Sequence, residues 1–347
     1  MKALKVYENA ILKVEDVKEP IVGDTEVKIQ VKACGVCGSD IPRIFNHSAH
    51  YYPITLGHEF AGVIASVGKK VKSLTVGDHV AGIPLIPCMK CSDCTNGNYS
   101  LCKNYSFIGS RRDGAMAEFV VVPENNVFKI SNEIEFKSAA FIEPITVVLH
   151  AFKQNNHISN SNVAVLGMGT MGCLAVQIAK AQGAKNITAF VRNNKYDGLA
   201  YKSGADDIIN TSNADWLEQV DEITECRGFD FIYETAGSAD TIRRSFEIAA
   251  NKAHICLIGT PKKSVIFEPE LWENLNRKEF YLTGSWMSYS GQFPGTEWII
   301  AEMYLKEHKV KIYPDMINSE IPLEESYKLK DILNLQSGAG RNLVIME

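Results

Sequence analysis

Several features are absent from this 347-residue chain, and each absence removes a class of protein. There is no run of about 18 apolar residues, so no segment reads as a membrane-spanning helix. There is no basic excess. Lys and Arg number 36 against 41 Asp and Glu, a formal net charge of −5, and no basic stripe offers the footprint of a nucleic-acid binder. Internal repeats and low-complexity tracts are missing, and no polybasic or amphipathic segment suggests docking to a membrane. The opening MKALKVYENAILKVEDVKEP has no basic start followed by an apolar run and a small-residue cleavage site. No secretory signal is therefore expected, and a cytoplasmic location, where thiols stay reduced, is. What remains is an ordinary globular composition, 46% hydrophobic and 22% charged, in a chain too long for one core. Two domains are expected.

Cysteine, by contrast, is plentiful, with nine residues. Cys88, Cys91, Cys94 and Cys102 fall within CMKCSDCTNGNYSLC. Their steps of three, three and eight let four thiolates converge on one tetrahedral Zn²⁺. Unligated or redox cysteines are the alternative. Gly97 and the turn formers Ser92, Asp93, Asn96 and Asn98 place the cluster on a loop. Four thiolates leave no open coordination position, so this zinc is expected to hold a lobe in shape and to catalyse nothing.

Chemistry is expected at a second constellation. Cys37 in ACGVCGSD, with His58 and Glu59 in LGHEF, sets a thiolate, an imidazole and a carboxylate on separate segments, which suits an open zinc site. Glu143, just ahead of Pro144, offers a further carboxylate. Its bland alternative is an acid facing a helix N-terminus. Cys34 and Cys37 make a C-x-x-C, but no thioredoxin-like context surrounds them. Cys34, Cys173, Cys226 and Cys256 read as small packing groups.

The texture of the chain divides it. VKIQVKACG, FAGVIASVG, GDHVAGIP and AEFVVVP are short β-branched runs broken by Gly and Pro. FIEPITVVLHAFKQ reads as a helix with Pro144 near its start. Strands NVAVLGMG, NITAFV, FDFIYETAG, HICLIGT and EFYLTGSW then alternate with helices, which argues a doubly wound parallel sheet. After about residue 290 a helix, TEWIIAEMYLKEHKV, and a last strand, RNLVIME, would rejoin the first domain. The expected division is 1–150 with 290–347, and 151–289. In the second domain Gly167, Gly169 and Gly172 form G-x-G-x-x-G around Thr170 and Met171. The motif follows an apolar strand and opens a helix, the context that marks a pyrophosphate cradle. The next strand would end in an acid if it held ribose hydroxyls. Here Val191 is followed by Arg192, which can pair with a 2′-phosphate, so the lean is to NADP(H) over NAD(H).

GVCGSD, LGHE, VGDHV, the four-cysteine loop and the glycine motif occur in the order found in zinc-dependent medium-chain alcohol and polyol dehydrogenases. The resemblance covers essentially the whole chain. It implies an α/β protein with a GroES-like β-rich catalytic domain and a Rossmann domain inserted before its last segment. It implies that Cys37, His58 and Glu143 face a catalytic zinc, with Glu59 a near or exchangeable ligand. It also implies that Ser39 relays the substrate proton, unless its hydroxyl merely satisfies a local turn. A homodimer or homotetramer is implied too. IPRIFNHSAHYYPITLGHEF, FIGSRRDG, AFIEPITVVLHAF and GSWMSYS resemble the branch acting on polyol phosphates. A phosphate calls for cations, and Arg43, Arg111 and Arg112 are the candidates, with surface salt bridging as their alternative role. An unphosphorylated polyol or L-threonine stays open as substrate. So does a nucleotide-binding protein that has lost turnover, although the intact set Cys37, Ser39, His58 and Glu143 speaks against it.

Overall fold

The computed structural model describes residues 1–155, 157–335 and 340–346. They form two compact units, one of Met1–Thr146, Ser288–Glu307 and Ile312–Glu347, the other of Val147–Met287 with His308–Lys311.

The first unit is built on a seven-stranded sheet whose central strand is Glu26–Val36. Its alternating sequence sends Val27, Ile29 and Val31 into one core with Ile64, Val80, Val120 and Val122. One edge of this strand pairs with Glu59–Val67. The other edge pairs first with Phe119–Pro123 and then with the last strand, Arg341–Ile345. This topology gathers three distant pieces of chain at one end of the sheet. Cys37 follows the central strand, Glu59 lies opposite Gly35, and Arg341 precedes Asn342, which lies opposite Val36. A hairpin of Lys2–Tyr7 and Ile11–Asp16 stands as a separate two-stranded sheet.

The second unit carries six parallel strands: β1 (Asn162–Leu166), β2 (Asn186–Val191), β3 (Asp207–Asn210), β4 (Phe229–Glu234), β5 (Ala249–Leu257) and β6 (Tyr281–Gly284). Their order in the sheet is β3-β2-β1-β4-β5-β6, all neighbours parallel. This is the order of a dinucleotide-binding sheet, with its topological switch between β1 and β4. Five of these strands are legible as apolar runs. β3 is not, because Asp207-Ile208-Ile209-Asn210 is four residues long with polar ends, and only its pairing with β2 reveals it. Ala164, Leu166, Phe190, Ile209, Ile232 and Ile255 join the core on this sheet. Among the described residues no helix is long and apolar enough to cross a membrane.

Candidate active site and metal centres

The four-cysteine loop brings its sulfurs together. Cys91 Sγ lies 3.5 Å from Cys94 Sγ and 3.9 Å from Cys102 Sγ, and Cys88 Sγ lies 4.0 Å from Cys94 Sγ. With Zn–S bonds of about 2.3 Å, sulfurs at tetrahedral corners stand about 3.8 Å apart. A disulfide would require about 2.0 Å, and all four cysteines are unbridged. The backbone N–H groups of Lys90 and Cys91 pull the Cys88 thiol down to about 6, while burial and the neighbouring thiols push Cys94 up to about 12. The loop leans on its own unit. Tyr99 packs edge-on against Phe293 at 5.3 Å, and Phe293 stacks on Tyr289 at 5.7 Å.

The second constellation lies at the end of the first unit's sheet. The ligand atoms of Cys37, His58 and Glu59 all fall within 4.8 Å of one another. Glu143 sits in the first turn of the helix Ile142–Lys153 and is buried. It is not one of the residues whose ligand atoms lie within 4.8 Å of one another, although the charges of Glu59 and His58 act on its carboxyl. Buried Asp40 stands behind them. Its Oδ2 accepts from the Cys37 N–H at 3.0 Å, and its Oδ1 accepts from Arg43 Nη1 at 3.0 Å. The same Oδ1 lies 3.5 Å from His58 Nδ1, close enough for charge attraction, while Nδ1 has no hydrogen-bond partner. Arg341 Nη2 pairs with Glu59 Oε1 at 2.8 Å, both side chains being buried. Gly35 makes room for this pair, since a Cβ there would fall 2.5 Å from Glu59 Oε2.

Two observations fit this site to zinc. Glu59 Oε2 is buried without a hydrogen-bond partner, which is costly unless a cation or donor meets it. In addition, four groups able to carry negative charge (Cys37, Asp40, Glu59 and Glu143) face only two guanidiniums, Arg43 and Arg341. A divalent ion makes up the difference. Without one, protons do so. Burial drives Glu59 up to about 8 against the pull of Arg341, and burial with the neighbouring Glu59 drives Glu143 up to about 7. Tyr289 is pushed well above the usual phenol range by burial and by Glu143, and its oxygen accepts from the Leu85 N–H at 3.2 Å. Burial alone would lower the Arg341 pKa, yet Glu59, Cys37, Glu143 and Asp40 together hold it above its ordinary value.

A pH dependence follows. The metal-free fold binds more protons than the unfolded chain between the ordinary carboxyl pKa and about 8. Its stability therefore falls as pH rises from the ordinary carboxyl range to about 7 and 8, and levels off above. Zinc binding must expel those protons, so apparent zinc affinity rises over the same window and the carboxyl contribution levels off above it. Titration calorimetry in buffers of different ionisation enthalpy should find more protons released at pH 6 than at pH 8.5. Equal release at both would refute the assignment of Glu59 and Glu143 as the titrating pair.

Ser39 precedes the helix Asp40–Phe45 without capping it, and its Oγ accepts from Arg43 Nη1 at 3.1 Å. Of the three candidate arginines, two converge. Burial and then the charges of Arg111 and Arg43 depress the His50 pKa, which puts both guanidiniums within electrostatic reach of that ring. Arg111 lies 4.4 Å over the Tyr105 ring, and Tyr105, Phe107 and His58 form a run of edge-on contacts back to the metal ligands. Arg112 goes elsewhere, donating to the Val121 carbonyl at 3.2 Å and lying 3.9 Å from Glu26. Sequence adjacency to Arg111 does not predict this, because the chain turns between them. Asp40, Arg341 and Tyr289 escape the sequence reading altogether. Asp40 at least lies within GVCGSD, but nothing local marks Arg341 or Tyr289.

In the second unit Gly167 ends β1 with a positive φ of 96°. A Cβ at Gly172 would fall 1.8 Å from the Gly167 carbonyl oxygen, so only glycine lets loop and helix approach. Gly169 precedes the helix Thr170–Ala181, which Thr170 and Met171 open, and no side chain caps it. That end of the helix is suited to an anion. β2 ends at Val191, and Arg192 follows it, exposed.

Residues 23–132 match the alcohol dehydrogenase GroES-like domain family, and residues 170–302 match the zinc-binding dehydrogenase family. The chain is 42% identical over 315 residues to galactitol 1-phosphate 5-dehydrogenase of Escherichia coli strain K12, spanning 90% of this chain and 91% of that one. The crystal structure of the Escherichia coli galactitol-1-phosphate dehydrogenase superposes with a TM-score of 0.95, covering 99% of this chain and all of that one at 40% identity. A sorbitol dehydrogenase of Bacillus subtilis is 35% identical over 77% of each chain. A putative zinc-binding dehydrogenase from Sinorhizobium meliloti, solved bound to NADP, is 29% identical with a TM-score of 0.89 over 99% of this chain and 98% of that one.

Proposed function

The chain belongs to the zinc-dependent alcohol dehydrogenase family, and from that premise we propose that it oxidises galactitol 1-phosphate to tagatose 6-phosphate. The observation that carries the substrate is the 42% identity across 90% of the chain to an enzyme of that name. The charges of Arg111 and Arg43 near His50 support it, Arg43 being held at 3.0 Å by Asp40, because guanidiniums suit a phosphate dianion.

Cys37, His58 and Glu143 would hold the catalytic zinc, with Glu59 near or exchanging. Bound there, zinc supplies Lewis acidity that makes a substrate hydroxyl easier to ionise. The remaining work falls to the chain. Asp40 holds the Cys37 amide, which keeps that ligand oriented, and its charge attracts His58. Arg341 neutralises Glu59 and so sets how much negative charge reaches the site. Ser39 Oγ has one lone pair occupied by Arg43 and one left to take the substrate hydroxyl's hydrogen bond. A serine is too weak a base to keep that proton, so it passes it on to solvent. The Gly167–Gly172 loop would hold the pyrophosphate of a nicotinamide dinucleotide, which would supply the hydride acceptor. Arg192 and the NADP-bound relative support NADP(H) over NAD(H). A homo-oligomer is the family expectation we carry forward.

The test is a panel of initial rates on galactitol 1-phosphate, galactitol, sorbitol and L-threonine, each with NAD⁺ and NADP⁺. Oxidation of the phosphate ester alone is expected, faster with NADP⁺. Arg111→Ala should raise KM for the ester by roughly tenfold with little change in kcat, as a lost charge-assisted contact of about 1.5 kcal/mol would. The sorbitol dehydrogenase relative favours a second reading, an unphosphorylated polyol. Rates on sorbitol equal to those on the ester would select it and release the arginines from substrate binding.

A further inference from the structure

The glycine loop does not stand alone at the switch point of the second unit's sheet. β4 lies beside β1, with Glu234 in register with Leu166, the residue before the loop. Glu234 is wholly buried. Its carboxylate gathers the chain that follows it. Oε1 accepts from the Ala236 N–H at 3.0 Å, the Gly237 N–H at 2.9 Å and the Thr241 hydroxyl at 2.6 Å. Residues 235–237 are thereby wound into a tight turn, and Gly237 takes a positive φ of 62° to close it. Gly259 packs against this turn, since a Cβ there would fall 2.1 Å from the Gly237 nitrogen.

Thr235 is the part of the turn that touches the glycine loop. Its N–H donates to the Leu166 carbonyl at 3.0 Å. Its hydroxyl lies 3.0 Å from the carbonyl oxygens of both Leu166 and Gly167. The same Oγ1 would stand 3.2 Å from a Cβ on Gly167 and 3.3 Å from one on Gly172, so it sits between the first and third glycines of the motif. A glycine loop is conformationally permissive, and pyrophosphate binding needs it in one conformation.

We propose that Thr235, held by the buried Glu234 turn, is a positioning residue that fixes the carbonyls of Leu166 and Gly167 and so pre-forms the dinucleotide cradle. The inference rests on dinucleotide binding at that loop and not on the identity of the alcohol.

The test uses the zinc-loaded full chain. NADH and NADPH are titrated by fluorescence against wild type, Thr235→Val, Thr235→Ser and Glu234→Ala. Thr235→Val keeps the side chain's shape and loses the hydroxyl. It should bind the tighter of the two dinucleotides about tenfold more weakly, the effect of one to two net hydrogen bonds. KM for the dinucleotide should rise in step, with kcat and KM for the alcohol within about twofold. Thr235→Ser should bind within about twofold of wild type. Glu234→Ala removes the oxygen that accepts from the Ala236 and Gly237 N–H groups and the Thr241 hydroxyl, and should weaken binding at least as much; a Glu234→Ala variant binding as tightly as wild type would overturn the role of the turn. Thr235→Val binding as tightly as wild type would overturn the proposal. So would a serine variant as weak as valine, or a loss of kcat with Kd unchanged, which would mark mere destabilisation. Wild type binding neither dinucleotide would instead overturn the cradle itself, and the proposal with it.

Discussion

Cys37→Ala should lower kcat/KM by roughly a thousandfold or more while dinucleotide binding is retained. Loss of a metal's Lewis acidity removes several kcal/mol of stabilisation, and each 1.36 kcal/mol is tenfold in rate. The substitution spares the backbone N–H that Asp40 accepts from, so the turn into Asp40–Phe45 should survive. It also spares the glycine loop, which belongs to the other unit. Zinc content should fall by one of the two ligand groups, with the four-cysteine group still loaded. Cys34→Ala is the matched control. Cys34 is buried at the C-x-x-C position but lies outside both ligand groups, and turnover should be retained. Full turnover in Cys37→Ala would remove the zinc mechanism. Loss of turnover in Cys34→Ala would revive a role for the pair.

Cys94→Ala should act on stability before activity. Cys94 is buried, and its sulfur is a near neighbour of both Cys88 and Cys91. Structural zinc contributes its binding energy to folding. Losing it should lower the unfolding temperature of the first unit on the order of 10 °C, at about 2–4 °C per kcal/mol for a unit of this size. Activity should fall as the folded fraction falls. A smaller direct loss is expected through Tyr99 and Phe293, which pack this loop against Tyr289, a residue on which the Glu143 charge acts. Calorimetry with metal analysis checks both parts. An unchanged melting temperature together with unchanged zinc would dismiss the structural site.

Much of the chemistry was legible in the sequence because it was local. Cys88 to Cys102 lie within one loop, and Gly167 to Gly172 span a single strand-to-helix turn. Periodicity exposed the strands that read as apolar or aromatic runs, and it missed β3, whose two isoleucines stand between Asp207 and Asn210. The alternating strands and helices were likewise enough for the doubly wound unit, whereas the GroES-like unit followed from the resemblance carried by GVCGSD, LGHE and VGDHV. Illegible features were those made by topology. Arg341 reaches Glu59 only because the last strand returns to the edge of Glu26–Val36. Tyr289 feels the charge of Glu143 only because residues 288–307 rejoin the first unit. Arg111 and Arg112 are neighbours in sequence whose side chains part company, a fact that depends on one turn and its partners. The burial of Asp40 was equally invisible, since an acid after a cysteine loop would ordinarily be solvated.

The return of the last strand has a consequence for biosynthesis. Cys37, His58 and Glu59 leave the ribosome roughly 280 to 300 residues before Arg341, on the order of tens of seconds at ordinary elongation rates. Throughout that interval Glu59 has no counter-ion, and the edge of the strand next to Cys37 has no neighbour to close it. A nascent chain can thus capture metal at its cysteine loop early. The reactive centre is among the last things the polypeptide completes, so stalled or abbreviated chains are born inert.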